Sequence, residues 1–425
     1  MIRREGIELL RWFSRDKCLA RDPATGDTFL VRGGIPGERV TIAEHARPWR
    51  TEREVVAVEQ GAAGRITPAC SHAPACTGCS LLHIDEAAED NLLRLTIAEV
   101  LARFANLDWP TDRIEAIVPT RRGGTRVRAR FAARFDGGWQ LGLRDSAGDL
   151  LPLPDCRANH PAVQQGLRTV TALLNTLGAA AAVTSVELLL GDTGAAAILE
   201  TEEATAPALR QLPLPGGLVA FGLRAGPKAP PELLQGAWPR ILPIGDEHAG
   251  SVVEGWQHPH PTAAATLFDW VAARVGTVPS LLDATSGAGS LTLRLARQAA
   301  TLTAVDASWE AVQALRATAD RLGHHHLQTR GGKIETVAPR LAEQGLRFHT
   351  TLINPMRSSL GPIAMQALSD LTERRLLYLA PAPRAGAEDI GLLVANGWRA
   401  TAIGFANYHP GTGHAMMAIC MERDA

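Results

Sequence analysis

Leu281-Leu282-Asp283-Ala284-Thr285-Ser286-Gly287-Ala288-Gly289-Ser290-Leu291-Thr292-Leu293 decides the fold. A short apolar run ends in a carboxylate and a small-residue turn with two glycines. Leu291, Leu293, Leu295 and Ala296 then open an apolar helical pattern. About twenty residues on, Leu302-Thr303-Ala304-Val305-Asp306 reads as a second strand ending in a carboxylate, which completes a βαβ unit. Glycines let the backbone approach a ligand closely, and a carboxylate at the end of the next strand can accept both hydroxyls of a ribose. Such a unit suits an adenosine-containing ligand. The spacing D-x-x-x-G-x-G, with no third glycine placed for a pyrophosphate, favours S-adenosylmethionine (SAM) over NAD. The plainer alternative is an ordinary glycine turn of an α/β fold.

At 425 residues the chain has room for two or three domains, each with its own core. Hydrophobic content of 46% and charged content of 20% are those of a globular protein in water. No apolar run is long enough to cross a bilayer, and Met1-Ile2-Arg3-Arg4-Glu5 has no signal-peptide core, so a cytoplasmic protein is expected. The formal net charge is −1, so no global field attracts nucleic acid and any RNA binding must come from local patches. Nearly all of the 43 basic residues are arginine, a side chain suited to phosphate contacts.

Residues 1–60 alternate apolar and polar positions and break at turn residues, the pattern of a small β-barrel. Within them Phe29 to Val40 reads as strand, Gly-Pro turn and strand. His45, Arg47, Trp49, Arg50 and Arg53 interleave basic side chains with an aromatic, as a phosphate-holding and base-stacking surface would. A solvated edge strand explains them equally well.

Cys70, Cys76 and Cys79 lie within ten residues in a Gly/Pro-containing loop, and Cys156 follows at a distance. In a cytosolic chain these are not a disulfide framework. Four thiolates suit a [4Fe-4S] cluster or a structural zinc, and three close cysteines with one remote favour the cluster over paired zinc hooks. Cys18 and Cys420 stand apart and read as core thiols. Glu86 to Phe104 has helical spacing. Arg126, Arg128 and Arg130 share one face of a strand-like stretch, a candidate phosphate track or an ordinary basic surface. Residues 160–240 alternate helix and strand without legible chemistry. His258 and His260 precede a helix from Thr262 to Val275 and, like His324, His325 and His326, lack the context of metal ligands, the latter three reading as a solvated turn.

Taken in order, a barrel with the Pro36-Gly37-Glu38 turn, C-x5-C-x2-C plus Cys156, a Gln-containing loop before a helix and a terminal SAM-type unit resembles the RNA (uracil-C5)-methyltransferases over nearly the whole chain. The resemblance implies an α/β multidomain fold. Its parts are an N-terminal OB-like (TRAM) barrel over 1–60, a central α+β iron–sulfur and RNA-binding unit over 61–245, and a C-terminal Rossmann-like class I SAM methyltransferase unit over 246–425. By the resemblance, Gln257 touches the SAM, Asp283, Gly287 and Gly289 line it, Asp306 holds its ribose, and Asn354 lies at the cofactor and substrate edge. Cys70, Cys76, Cys79 and Cys156 hold a [4Fe-4S] cluster. Ribosomal or transfer RNA is the implied partner of a monomeric chain.

Departures fall where the chemistry belongs. In the family a strand leads to S-C-N-P, whose cysteine adds to uracil C6; here Ala380-Pro381-Ala382-Pro383 puts Pro381 in the cysteine's place. The base of F-P-H-T-x-H-V-E becomes Met416 in Tyr408 to Met416, D-P-P-R becomes Asn354-Pro355-Met356-Arg357, and Gly332-Lys333 stands where an acidic residue near the adenine is often found. One expectation is a scaffold that keeps RNA, SAM and cluster without the cysteine mechanism, up to a non-catalytic RNA-binding module. Another is an active SAM-dependent enzyme methylating a base amino group through Asn354-Pro355. Radical SAM chemistry is disfavoured, because four cysteines leave no open iron.

Overall fold

The computed structural model describes residues 2–423 apart from 15, 48–49, 74, 146–147, 203–206, 228 and 243–257. Alternating strands β1 (Ile2–Ser14), β2 (Lys17–Arg21), β3 (Thr28–Arg32), β4 (Arg39–Arg47) and β5 (Arg50–Gln60) close a barrel in the order β1-β2-β3-β5-β4. The β3–β5 pair is parallel and β4 returns to β1, which is the OB arrangement. Every second residue turns inward, so Ile7, Leu9, Cys18, Ala20, Val31, Val40 and Ile42 form its core. Glu38 of the Pro-Gly-Glu turn is buried. Its carboxylate accepts from the Ile35 N–H at 2.8 Å and from Arg65 Nη2 at 2.6 Å, fastening the turn to the chain leaving the barrel.

A second sheet runs β13-β12-β11-β10-β7-β8-β9, from β7 (Arg128–Phe135), β8 (Trp139–Arg144), β9 (Leu150–Pro152), β10 (Val183–Gly191), β11 (Gly194–Thr201), β12 (Ala220–Ala225) and β13 (Glu232–Gly236). Helix α2 (Pro161–Leu177) lays Val163, Leu167, Val170 and Leu174 against Phe131, Leu188 and Leu199. A short α3 (Pro207–Arg210) follows.

The third sheet has the order β16-β15-β14-β17-β18-β20-β19-β6. Its strands are β14 (Val278–Asp283), β15 (Ala299–Asp306), β16 (Leu327–Gly331), β17 (Phe348–Ile353), β18 (Thr372–Ala380), β19 (Arg399–His409), β20 (His414–Glu422) and β6 (Glu115–Val118). β14 to β18 pair in parallel, and β20 is antiparallel to both β18 and β19. Strand order reverses between β14 and β17, so the crevice of a doubly wound sheet opens at their carboxyl ends. One face carries α4 (Pro261–Val275), α5 (Ser290–Leu295) and α6 (Trp309–Arg321), through Leu267, Phe268, Leu293 and Leu315. The other carries α1 (Glu86–Ala105), α7 (Ile334–Glu343), α8 (Gly361–Leu371) and α9 (Pro383–Ala395), through Ile97, Leu341, Leu368 and Ile390. Truncating one such leucine to alanine costs about 2–5 kcal/mol in transfer and cavity terms. Helix α1 starts at Asp85, whose carboxylate accepts from the Ala88 N–H at 2.7 Å. Both α1 and β6 reach this sheet from the stretch between barrel and second sheet, so the third unit is not continuous in sequence. Among the described residues no helix is long and apolar enough to cross a membrane.

Candidate functional site

The turn after β14 brings Asp283, Gly287, Gly289 and Asp306 together. Asp283 is buried; its Oδ2 accepts from Thr292 Oγ1 at 2.6 Å and its Oδ1 from the Thr285 N–H at 3.3 Å. Burial pushes its pKa up to about 6, and the neighbouring Asp306 carboxylate adds to the rise. Asp306 takes one backbone N–H on each oxygen, from Gly287 and from Ser308, both at 2.8 Å. The acidic residue at the second strand end is therefore tied directly to the glycine turn. Gly289 sits at φ +95°, and a Cβ there would come within 2.3 Å of Leu315 Cδ1, so only glycine fits. Gly287, at φ +54°, faces open space, the room a ligand needs. Asn354 joins this edge by donating its N–H to Thr285 Oγ1 at 2.7 Å, and Met356 beyond it is 77% exposed. Gln257 lies outside the described residues.

Sequence reading missed Trp309, an exposed indole three residues past Asp306 that lies against Gly331. A tryptophan three residues past the carboxylate of the second strand, at the start of α6, was the available signal.

Two buried carboxylates shape the rest of the carboxyl edge. Asp389 of α9 accepts from the N–H groups of Leu360 (2.8 Å) and Gly361 (3.1 Å) and from the hydroxyls of Ser359 and Tyr378. It thereby holds the loop that follows Asn354. Glu89 of α1 accepts from Arg122 Nη2 at 2.6 Å, Asn407 Nδ2 at 3.0 Å and the Gly411 N–H at 2.8 Å, which fixes the turn between β19 and β20. In that turn His409 pairs with His414. The β18–β20 register matches Ala380 with Met417, so Pro381, just past the strand, stands beside Met416. Met416 is buried in the apolar cluster with Tyr408 and Phe268. His258 packs edge-on to the same two rings, at 5.6 and 5.1 Å, and burial pushes its pKa down to about 3, so it is a neutral core histidine. His260 caps α4 by accepting from the Ala263 N–H. His324 is buried edge-on to His326, which corrects the reading of that triplet as a solvated turn.

The cysteine loop is fastened against the segment bearing Cys156. Arg157 Nη1 donates to the Ala69 carbonyl at 2.8 Å, and His72 pairs with Asp155 at 2.9 Å. All four thiols are free and half-buried. They lie close together: burial comes first in pushing the Cys79 thiol up to about 11, Arg126 opposes the rise, and the neighbouring Cys156, Cys76 and Cys70 add to it. Among the described residues no three His, Cys, Asp or Glu side chains close on one point as ligands of a single metal ion. Cys18 and Cys420 are buried thiols inside strands, as expected.

Two arginine readings need correction. Arg128 pairs with Glu187 at 2.7 Å and Arg130 with Glu200 at 2.5 Å, so the proposed track on that face is neutralised by the neighbouring strands. Arg126 precedes the strand and has no ion pair among the described residues. On the barrel, Arg53 pairs with Glu44 at 2.6 Å and lies over Phe29, and His45 pairs with Glu54. Trp49 lies outside the described residues.

A doubly wound sheet with a glycine turn and paired acidic strand ends defines a class I methyltransferase fold. Residues 260–378 match a family described as conserved hypothetical protein 95. The chain is 27% identical to 23S rRNA (uracil(1939)-C(5))-methyltransferase RlmD of Chromohalobacter salexigens, covering 99% of this chain and 90% of that one. It is 29% identical to the protein of that name in Pseudomonas putida, covering 92% and 87%. In structure it is similar to the Pyrococcus abyssi tRNA (uracil-54, C5)-methyltransferase solved with S-adenosyl-L-homocysteine, with a TM-score of 0.72, 16% identity and coverage of 99% and 100%. Over nearly its whole length the chain is thus similar to proteins named as RNA (uracil-C5)-methyltransferases.

Proposed function

We propose that this chain binds RNA and SAM on the family's scaffold and has lost the covalent route to methylating uracil C5. The register that sets Pro381 beside Met416 carries this reading. By the resemblance these are the positions of the nucleophile and the base, and neither residue can react. C5 of neutral uracil is a poor nucleophile, so a thiolate must add at C6 and a base must then take the C5 proton. Proline has no sulfur to add. A thioether buried in the apolar core takes no proton.

The cofactor edge is chemically fit for SAM. Each oxygen of Asp306 spends one lone pair on a backbone N–H and keeps another for a ribose hydroxyl. Gly287 leaves the backbone open to the ligand, Gly289 permits the turn, and Asp283 braces it through Thr292. Trp309 offers an aromatic face beside the ribose site.

Cys70, Cys76, Cys79 and Cys156 fit a [4Fe-4S] cluster, because each cysteine would take a different iron and the sulfurs need not converge on one ion. The cluster would tie the loop to the central sheet, with no open iron to bind SAM. The chain acts as a monomer of three units with boundaries near residues 60 and 245, α1 and β6 excepted.

A second reading, methylation of a base amino group, is favoured by Asn354. Its half-buried side chain makes no hydrogen bond among the described residues and is free to accept from an amine. Transfer of labelled methyl from SAM to bulk RNA, followed by nucleoside analysis, separates the two. No incorporation supports the binder, an N-methylated nucleoside supports the second reading, and 5-methyluridine overturns the proposal.

A further inference from the structure

Where the barrel, the cysteine loop, the lead into the central sheet and the carboxyl edge of the third sheet meet, they form an open pocket of about 270 Å³. Arg32 enters from the barrel, Arg126 from the central unit, and Arg357, His409 and His414 from the third sheet. The carboxylate in the wall, Asp16, is already bound to Arg32 at 2.7 Å. Arg126 and Arg357 have no ion pair among the described residues, so two guanidinium charges face the pocket uncompensated. The Ser80 hydroxyl in the wall also makes no hydrogen bond among the described residues and remains available to donate.

The lining decides the ligand class. Every lining side chain is polar or absent, and the volume lies below the ~300–1,000 Å³ of sites that enclose drug-sized ligands. Planar guanidinium groups converging from different elements match the oxygens of a phosphoryl group. The surroundings agree: His409 is pushed down to about 4, first by burial and then by Arg126, Arg357, His414 and His260, the cost of gathering so much positive charge around one ring.

We infer that this pocket is a seat for a single backbone phosphate of the bound RNA, gripped jointly by Arg126 and Arg357. It rests on the RNA-binding reading only for the source of the phosphate. Because the two arginines come from different units, the bound phosphate also staples the central unit to the third sheet.

The test uses the full chain with a labelled single-stranded oligouridylate, measuring affinity against salt concentration, and phosphorus NMR line broadening with inorganic phosphate. Each single-strand phosphate neutralised contributes about 0.7 to the slope of log K against log salt. The double variant R126Q/R357Q should weaken RNA binding and flatten the slope by about 0.7, one phosphate's worth, and should abolish inorganic phosphate binding. The double variant R126K/R357K should retain the slope, which separates lost charge from lost fold. A flattening of about 1.4 would mean two independent contacts and overturn the single seat. Unchanged RNA affinity and slope in R126Q/R357Q would overturn the seat while leaving RNA binding intact. Arginine-dependent phosphate binding by a protein that ignores the oligouridylate would sustain the seat and refute the RNA reading. Binding of neither probe would refute both.

Discussion

Replacing Glu89 by glutamine should loosen the turn that carries His409 and His414 while leaving its sequence untouched. The Glu89 carboxylate is fully buried and holds three donors from three elements: Arg122, Asn407 and the Gly411 N–H. Glutamine keeps the size and one acceptor oxygen, so Asn407 and Gly411 retain a partner. It turns an amide N–H toward the Arg122 guanidinium, whose side chain is 17% exposed. A buried charge stripped of its partner costs about 3–5 kcal/mol. Arg122 also donates to the carbonyls of Ile84 (2.6 Å) and Leu81 (3.1 Å), which softens the loss toward the lower end, ~3 kcal/mol. Urea unfolding of E89Q, R122M and E89Q/R122M forms a double-mutant cycle that isolates this pair. The double variant should recover most of the loss, because methionine removes the orphaned charge. Hydrogen exchange at residues 409–414 should accelerate in E89Q and slow again in the double variant. A cost under ~1 kcal/mol, the range of an exposed pair, would refute the claim that Glu89 anchors the site.

Asp283 gives a pH signature. Its folded pKa of about 6 exceeds its ordinary value of 3.8, so the folded state binds the proton more tightly than the unfolded chain. Its contribution is fully present below pH ~4 and is lost as pH rises through about 6, by about 3 kcal/mol. Unfolding free energy measured across pH 4–7 should carry that slope, and Asp283→Asn should remove it. Gly289→Ala forces a side chain onto a left-handed backbone and against Leu315, which should cost about 2–4 kcal/mol and abolish SAM binding by calorimetry. Anaerobic purification should yield a brown protein with about four irons per chain, reduced in Cys79→Ser; a colourless zinc protein would remove the cluster.

Much of this was legible locally. The turn at Gly287 and Gly289, the two strand-end aspartates and helix α1 are written in contiguous residues, and the structure places them within a residue or two of expectation. What sequence could not supply is pairing across distance. Arg128 and Arg130 looked like a phosphate track because their neutralising partners, Glu187 and Glu200, arrive 59 and 70 residues later on adjacent strands. Glu89 reads as one more helix carboxylate until Asn407, 318 residues on, is folded against it. Strand β6 is four residues long and carries no signal for the sheet it joins. Glu38 belongs to a turn read as part of an RNA-facing barrel, yet its charge is consumed by Arg65.

The central claim is that this pocket has no thiolate able to add to uracil. RNA containing 5-fluorouridine tests it most directly, because fluorine at C5 blocks the last step and traps any C6 adduct on the protein. Incubated with SAM and this RNA, the protein should run at its own mass under denaturing conditions, with no linked oligonucleotide. A stable covalent complex, mapped by mass spectrometry to any cysteine of the chain, would contradict the account.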